Sequence, residues 1–308
     1  MTTPIPAPRL TVGICSTGRV GTALGEALAA AGHRVVAAHA PSPASRERAE
    51  RRLPSARLGT VDDVVAAAEL VLLAVPDTEL PTVIDQVAAA LRPGQIVAHT
   101  AGAHGVDILD PIAQRGGMVL AIHPAMTFVG GPEDTARLSS SCFGITTADP
   151  FGDAVAAALV LELGGTPVRI DEAQRTLYHA ALAHGANNLI ALITDAVAAL
   201  QAAIDGPHHL AAQATVDGGA TGLPEQILGP LVRASLENVL NMGPSALTGP
   251  VARGDRATVQ RHRGALEELP DPGVALGYRV LSARAAVQAG APADLLDSIE
   301  VKSSDDDS

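Results

Sequence analysis

Apolar residues in the first half of the chain form short continuous runs, and stretches with helical spacing separate these runs. A run that is apolar throughout is typical of a strand covered on both faces of its sheet. Strands are predicted at Leu10–Cys15, Arg34–His39, Leu70–Val75, Gln95–His99, Met118–Ile122, Cys142–Thr147 and Pro167–Ile170. Helices are predicted between them at Arg19–Ala31, Pro43–Arg52, Thr78–Leu91 and Phe151–Leu163. This alternation predicts an α/β fold with a doubly wound, mostly parallel sheet.

The second half of the chain is Ala-rich and has almost no β-branched runs, so it predicts an all-helical domain. Helices are expected at Glu172–Ile204, Thr221–Met242, Arg256–Glu268, Gly273–Ala289 and Pro292–Ile299. The last residues are Ser and Asp, a composition that favours disorder. The predicted organisation is a sheet domain at 1–168, a helical domain at 169–300 and a disordered acidic tail at 301–308.

Composition and charge exclude several kinds of protein. The 308 residues carry 21 basic and 33 acidic side chains, a net charge of -12, which argues against nucleic acid or an anionic membrane as a partner. The single lysine, Lys302, lies in the acidic tail, so a lysine-centred active site in the folded body is excluded. The apolar stretch at 180–203 contains His184, Asn187, Asn188 and Asp195, and we therefore expect no membrane span there.

Two cysteines in a chain of this length, Cys15 and Cys142, do not form a disulfide framework. The first residues, Met1 to Pro8, lack the apolar core of a signal peptide. Both observations favour a reducing cytoplasm as the location of the protein.

The turn between the first predicted strand and helix carries a dinucleotide-binding pattern, which asks for Gly-x-Gly-x-x-Gly. The chain has Gly18 and Gly21 at the second and third glycine positions and Ser16 at the first. Phosphate is expected on the helix N-terminus. An ordinary strand–helix turn is the alternative interpretation. The predicted binding residues of this turn are Ser16, Thr17, Gly18, Arg19, Val20 and Gly21.

The end of the second strand predicts NADP rather than NAD. NAD enzymes place an acidic residue there for the ribose hydroxyls, whereas this chain has Ser42, Ser45 and Arg46 and no carboxylate before Glu47. Two hydroxyls and a guanidinium suit a 2′-phosphate. The alternative is that both serines only cap the following helix.

Two further strand ends are predicted to face the same crevice, because ligands of open α/β sheets lie outside the carboxyl ends of strands. Here the candidate cofactor contacts are Val75, Pro76, Thr100 and Gly102. For His99 and His104, which flank the second of these ends, loop capping is at least as good an interpretation as catalysis. His123 follows another strand end, above the expected nicotinamide, and is the best candidate proton donor.

These segments, together with Ile122–Phe128, Tyr178–Asn188 and Leu247–Asp255, resemble a family of Rossmann-like oxidoreductases with a C-terminal helical domain of unknown function. The family is related to pyrroline-carboxylate reductase, ketopantoate reductase and the deazaflavin-dependent NADP reductases. The resemblance implies that the helical domain packs against the nicotinamide crevice and forms a homodimer contact.

Relatives place a Lys and an Asn on the first long helix of this domain to polarise the substrate carbonyl, and this chain has no Lys there. His179, or His184 paired with Asn188 at i, i+4, offers a substitute, since a histidine donates a proton near neutral pH. A structural histidine at an interface is the alternative. Asn187 and Asn188, polar residues in an apolar helix, are candidates to bind the carbonyl oxygen.

Arg253, in a Gly/Pro-rich loop, suits a substrate carboxylate, although pairing with Asp255 or capping of the next helix is equally reasonable. No metal site is expected, because His208-His209 has no Cys or carboxylate at ligand spacing. The leading hypothesis is an NADPH-dependent reductase of a small carboxylated carbonyl, with ketopantoate as the first substrate to test, or of an imine. The second hypothesis is an NADP-binding sensor or scaffold without turnover.

Overall fold

The computed structural model of the chain describes residues 9–205, 222–292, 295 and 299. Within this part, the chain forms two compact units, one ending at Ala183 and the other beginning at His184. The boundary falls inside a long helix. It comes later along the chain than the domain boundary expected at 168/169, because the start of that helix packs with the sheet.

The first unit contains one sheet of eight strands in the order β3-β2-β1-β4-β5-β6-β7-β8. All neighbouring pairs are parallel except β6 and β7. The order reverses between β1 and β4, which makes their carboxyl ends the expected ligand crevice. The strands are β1 Thr11–Cys15, β2 Arg34–His39, β3 Arg57–Leu58, β4 Leu70–Leu73, β5 Ile96–His99, β6 Met118–Pro124, β7 Cys142–Thr147 and β8 Thr166–Arg169.

Helices connect these strands and continue into the second unit. In the first unit they are α1 Arg19–Ala30, α2 Pro43–Arg52, α3 Val61–Ala67, α4 Leu80–Ala90, α5 Asp110–Ala113, α6 Pro132–Leu138 and α7 Pro150–Glu162. Helix α8, Arg175–Ile204, crosses the boundary, and the second unit adds α9 Leu223–Met242, α10 Arg256–Glu267 and α11 Pro272–Ala289.

Two apolar cores cover the two faces of the sheet. Val12 and Ile14 of β1 lie in one core, with α1 and α7. Cys15 lies in the other, with α3 and α4. Because successive strand residues point to opposite faces, both sets of side chains are buried. This explains why the strands are apolar throughout, and it confirms the predicted α/β class with a mostly parallel sheet and a helical C-terminal part.

The second unit exposes much of its apolar surface. Its small core contains Val259, Ala286, Leu295 and Ile299, whereas Leu231 is 62% and Leu240 is 78% exposed. The segment Glu172–Ile204 is long and apolar enough to cross a membrane by length and composition alone, with a mean hydropathy of 1.4 over its most apolar window and none of that window buried. One such helix is weak support for a membrane span, and the expectation of none stays a prediction.

Three sequence predictions fall wholly or mostly outside the described residues. They are the histidine pair His208-His209, the helix at Pro292–Ile299 and the acidic tail at 301–308.

Candidate functional site

The turn between β1 and α1 has the shape that the glycine pattern predicts. Ser16 adopts a φ of +76°, a left-handed conformation that glycine adopts most easily. Gly21 must be glycine, because a Cβ there would lie 2.2 Å from the Ser16 carbonyl oxygen. A Cβ at Gly18 would meet only the Ser16 Oγ, at 3.7 Å. The backbone of Gly18 is therefore open to an approaching ligand.

Helix α1 begins without a side-chain cap. Gly18 occupies the N-cap position, and no side chain accepts from the first backbone N–H groups of the helix. The first four such groups of any helix lack partners within the helix and attract anions. The turn thus satisfies the structural requirements for a pyrophosphate.

The side chains of this turn take different directions. Thr17 is fully buried, and its hydroxyl donates to the Ser45 carbonyl oxygen over 2.9 Å. Its predicted contact with a cofactor can therefore involve only its backbone. Val20 packs against the apolar core, whereas Arg19 is exposed and its Nη1 donates to the Phe128 carbonyl oxygen over 3.5 Å.

Replacing Ser16 with glycine is expected to stabilise the protein. A non-glycine residue with positive φ carries backbone strain on the order of 1 kcal/mol or more, and glycine removes it at some cost in unfolded-state entropy. We expect the free energy of unfolding, measured by urea titration, to rise by a few tenths to about 1 kcal/mol. A decrease would show that the Ser16 side chain stabilises the turn.

At the end of β2, the two candidate serines form a capping box on α2. Ser42 Oγ accepts from the Ser45 backbone N–H, and the Ser45 side chain accepts from the Ser42 backbone N–H. Ser45 is buried, so the capping interpretation describes it fully. Ser42 and Arg46 remain exposed, and Arg46 Nε donates to the Ala40 carbonyl oxygen over 3.1 Å. Of the three candidates at this strand end, only Ser42 and Arg46 therefore expose their side chains.

In the sheet, β4 lies next to β1 and β5 lies next to β4. The ends of β4 and β5 therefore follow the β1–α1 turn along the same edge. Val75 is half-buried and Pro76 is exposed after β4, while Thr100 Oγ1 donates to the Leu73 carbonyl oxygen over 3.4 Å. His99 is fully buried, donates from Nε2 to the Gly105 carbonyl oxygen and accepts at Nδ1 from the Ala101 N–H. Through these two hydrogen bonds, the His99 ring stabilises the loop that follows β5.

Two candidate histidines converge on Gly102 in that loop. A Cβ at Gly102 would lie 2.9 Å from His123 Nε2 and 2.5 Å from His179 Cδ2. The rings of His123 and His179 meet edge to face with centroids 5.7 Å apart. His123 comes from the end of β6 and His179 from the first part of α8. The fold thus gathers three of the residues that the sequence singled out.

Two residues that the sequence analysis did not assign complete this cluster. The Tyr178 hydroxyl and His123 Nδ1 form a hydrogen bond of 2.9 Å. Arg175 is only 1% exposed, and its guanidinium carbon lies 5.8 Å from the centre of the Tyr178 ring. Arg175, Tyr178 and His179 share one face of α8 at i, i+3 and i+4, a spacing that is visible in the sequence.

Burial keeps the central histidines neutral. Desolvation lowers the pKa of His99 and of His123 to about 4 in each case. The positive charges of neighbouring groups add to this effect, His179 and Arg175 for His123. A neutral imidazole at His123 has one N–H to donate and one nitrogen that accepts.

The depressed histidine pKa values predict an acid-sensitive fold. Between pH 6.5 and 4 the unfolded chain binds protons at His99 and His123 that the folded chain does not, so stability falls as pH falls through this window, by about 1 kcal/mol per pH unit for each group. Urea unfolding at pH 7 and pH 5 measures the loss. The variant His123→Asn should show a smaller loss, and the exposed-site control His184→Asn should match the wild type. Equal losses in both variants would contradict the assignment.

The remaining candidates lie in the second unit and are exposed there. Asn188 Nδ2 and His184 Nδ1 form a hydrogen bond of 2.9 Å, as the i, i+4 spacing suggested. Asn187 and Asn188 are both exposed, so no other part of the described structure covers these amides. Arg253 is exposed, and the side chain of Asp255 caps α10 by accepting from the Thr258 N–H.

An apolar cavity of about 790 Å³ lies between the helices of the second unit. Its few polar lining residues are Asn188, Asp195, His262 and Tyr278. Among the described residues, no group of three or more His, Cys, Asp or Glu side chains is arranged to hold a metal ion.

Two family models match the chain, one after the other along the sequence. Residues 1–124 match a Rossmann-like domain, and residues 141–285 match a domain of unknown function, DUF2520. A search of curated proteins finds no match.

Solved structures with the same fold cover almost the whole chain. A Bacteroides fragilis protein described as an NADP oxidoreductase has a TM-score of 0.75 at 19% identity, over 91% of this chain and 98% of its own. A reductive aminase from Aspergillus terreus, in complex with NADPH4, cyclohexanone and allyl amine, has a TM-score of 0.62 at 16% identity, over 95% and 100%.

Pyrroline carboxylate reductase from Plasmodium falciparum, with NADP bound, has a TM-score of 0.54 at 11% identity, over 91% and 98% of the two chains. The TM-scores show a shared fold, and at identities this low the likeness shows the fold alone. The resemblance inferred from the sequence motifs is confirmed: the chain is similar to a Rossmann-like domain over residues 1–124 and to the domain of unknown function DUF2520 over residues 141–285.

Proposed function

We propose that the protein is an NADPH-dependent oxidoreductase that reduces a small carboxylated carbonyl compound or an imine. The observation that supports this most is the convergence of His123 and His179 on Gly102 at the carboxyl end of the sheet. In open α/β sheets, this edge is where ligands bind, and a histidine is the side chain most often used for proton transfer.

The residues of the first turn fit a dinucleotide. The uncapped start of α1 offers N–H groups to a pyrophosphate, and Gly18 has no side chain to obstruct it. Arg46, held at the end of β2 and exposed, suits a 2′-phosphate better than a bare ribose. The NADPH-bound reductive aminase and the NADP-bound pyrroline carboxylate reductase, which share the fold, support the same cofactor.

NADPH, when bound, supplies a hydride to the substrate carbon. The protein's task is then to deliver a proton to the carbonyl oxygen or imine nitrogen, and His123 Nε2 or His179 is positioned for it. The absence of a side chain at Gly102 lets the loop pack closely against both rings, and His123 and His179 each stay partly exposed. Asn187 or Asn188 as the group that orients the carbonyl, and Arg253 as the carboxylate anchor, remain predictions, which substitution by Ala tests through KM.

Ketopantoate is the first substrate to test. We expect the purified protein to oxidise NADPH faster than NADH when ketopantoate or a cyclic imine acid is added, and to be stabilised in thermal melts by NADPH. Oxidation of NADPH with an imine but not with ketopantoate would show that the substrate is an imine, and the assignment of NADPH as the cofactor would stand.

A sensor or scaffold that binds NADP without turnover is the second candidate. The pKa of about 4 at His123 favours it, because at neutral pH this residue carries no ready excess proton. Tight NADPH binding with no oxidation across a panel of keto acids and imines would support the sensor. Oxidation of NADPH by any of them would exclude it.

The exposed apolar surface of the second unit suggests a homodimer formed through the helical part. Ile190, Leu231, Leu240 and Val280 are each more than half exposed, which is unusual for a monomer in water. Asp195 and the exposed amides of α8 disfavour lipid as the covering phase. Light scattering should show a particle of twice the 31.1 kDa chain mass. A monomer in the absence of detergent would contradict this.

A cytoplasmic location is consistent with the two thiols. Both cysteines are free, and Cys142 is exposed. Exposed unpaired thiols persist in reducing compartments.

A further inference from the structure

We propose that Tyr178 is the proton source behind His123, and that Arg175 is the buried cation that stabilises the phenolate formed when Tyr178 gives up its proton. This proposal rests on the reductase function proposed above. It assigns roles to two residues that no motif or comparison marks. Both would act through His123, so they are positioning residues.

Arg175 is a buried cation that forms no ion pair among the described residues, although the negative charge of the Glu172 carboxylate favours its charged form. Its Nε donates to Thr146 Oγ1 over 2.7 Å, and its Nη2 donates to the carbonyl oxygens of Ala121 and Gly144 over 3.2 and 3.1 Å. All three acceptors are neutral. Its Nη1 is buried without a hydrogen-bond partner in the part of the chain that the structure describes.

None of the ion pairs found within residues 9–205 and 222–292 involves Arg175. Holding an unpaired charge away from water is costly, and an unsatisfied buried donor adds to that cost. Such an arrangement is useful if a negative charge forms beside it during a reaction, because the cation is already in place.

Tyr178 is the group beside it that can become negative. Its ring lies against the guanidinium, and its hydroxyl lies 2.9 Å from His123 Nδ1. Gly144, opposite His123 on β7, permits this closeness, since a Cβ there would lie 2.7 Å from the Tyr178 hydroxyl. The Gly144 backbone N–H also lowers the pKa of the Tyr178 phenol. A phenolate at Tyr178 would thus have a cation and a backbone donor.

The proton inventory balances. The reduced substrate carries a developing negative charge on oxygen or nitrogen, and His123 Nε2 gives it the proton that completes the product. His123 Nδ1 then takes the hydroxyl proton of Tyr178, so the imidazole is neutral before and after and changes only its tautomer. Tyr178 is left as the phenolate beside Arg175. Water then protonates His123 Nε2 and the Nδ1 proton returns to Tyr178, so both groups regain their resting states. The net consumption is one hydride and one proton.

The relay removes the difficulty raised by the low pKa of His123, because a neutral imidazole that is reprotonated from behind never needs to become an imidazolium. Among the residues that the structure describes, three titratable groups face Tyr178: His123 from β6, Arg175 from its own helix and Cys142 from β7. Burial raises the pKa of Tyr178, while Arg175 and the Gly144 N–H oppose that rise. In the resting protein, Tyr178 is therefore protonated and able to donate.

The first test needs no cofactor or substrate. The chain has two tyrosines and no tryptophan, so in a Tyr278→Phe background the ultraviolet absorbance of phenolate reports Tyr178 alone. We expect Arg175→Met to move the phenolate midpoint upward by about one pH unit or more, and Arg175→Lys to return it part of the way. An unchanged midpoint in a folded Arg175→Met variant would overturn the role of Arg175.

The second test does not depend on whether Arg175→Met folds. Tyr178→Phe keeps the ring against the guanidinium and removes only the hydroxyl. We expect kcat to fall on the order of tenfold or more with KM nearly unchanged, and the remaining rate to increase toward low pH, where solvent protonates His123 directly. Wild-type kcat and an unaltered pH profile in this variant would overturn the relay. Absence of turnover in the wild type would instead count against the reductase function.

Discussion

Replacing His123 with asparagine is expected to reduce NADPH-dependent turnover about 10²- to 10⁴-fold, which is the usual contribution of a positioned proton donor. Asparagine is smaller, neutral and able to hydrogen-bond Tyr178, so the fold should persist. The loss should appear in kcat, with NADPH affinity close to that of the wild type. Steady-state kinetics and calorimetric titration with NADPH measure the two quantities.

His179→Asn is the matched comparison for this prediction. The two rings flank the same glycine, but His123 presents Nε2 to it whereas His179 presents Cδ2. We therefore expect the His179 variant to lose less activity. The reverse result, a silent His179→Asn protein and an active His123→Asn protein, would assign the proton to His179.

Replacing Gly21 with alanine is expected to abolish NADPH binding and to destabilise the first unit. The added Cβ would lie 2.2 Å from the Ser16 carbonyl oxygen and 3.0 Å from the Ala74 Cβ, and neither neighbour is the flexible end of a side chain. Overpacking of this kind costs about 1–3 kcal/mol or more, and the turn must open to relieve it. Urea unfolding and NADPH titration measure both effects.

Gly18→Ala provides the control, three positions earlier in the same turn. Its Cβ would have 3.7 Å to the nearest heavy atom, Ser16 Oγ, so the stability of the protein without ligand should stay close to that of the wild type. NADPH binding should nevertheless weaken, because the pyrophosphate approaches this backbone closely. Wild-type NADPH affinity in both glycine variants would show that the turn binds no dinucleotide.

The large elements of the fold could be predicted because residues buried in the two cores form continuous apolar runs along the sequence. β1 and β4 are buried on both faces and read as continuous apolar runs. β3, with only Arg57 and Leu58, is too short to produce such a run. The same applies to α3 and α6, of seven residues each, which are shorter than the helical period needs for recognition.

The candidate site could be predicted only where the residue type itself points to a role, as histidine does for proton transfer and glycine for a tight turn. The histidines and glycines could therefore be predicted as site residues, whereas Arg175 looks in the sequence like any charged residue on a helix. Its importance comes from burial by β6 and β7, which depends on tertiary packing. Its spacing of three residues from Tyr178 was the available signal. Asn187 and Asn188 stand out in the sequence as polar residues in an apolar helix, but both are exposed in the described structure, so the pattern alone does not show what these amides bind.

A crystal structure with NADP⁺ bound tests the central claim most directly. The account predicts the pyrophosphate on the N–H groups at the start of α1, the 2′-phosphate at Arg46, and the nicotinamide ring beside Gly102 with His123 Nε2 facing the position of the substrate oxygen or nitrogen. A nicotinamide ring placed away from Gly102, with neither His123 nor His179 beside it, would contradict the account.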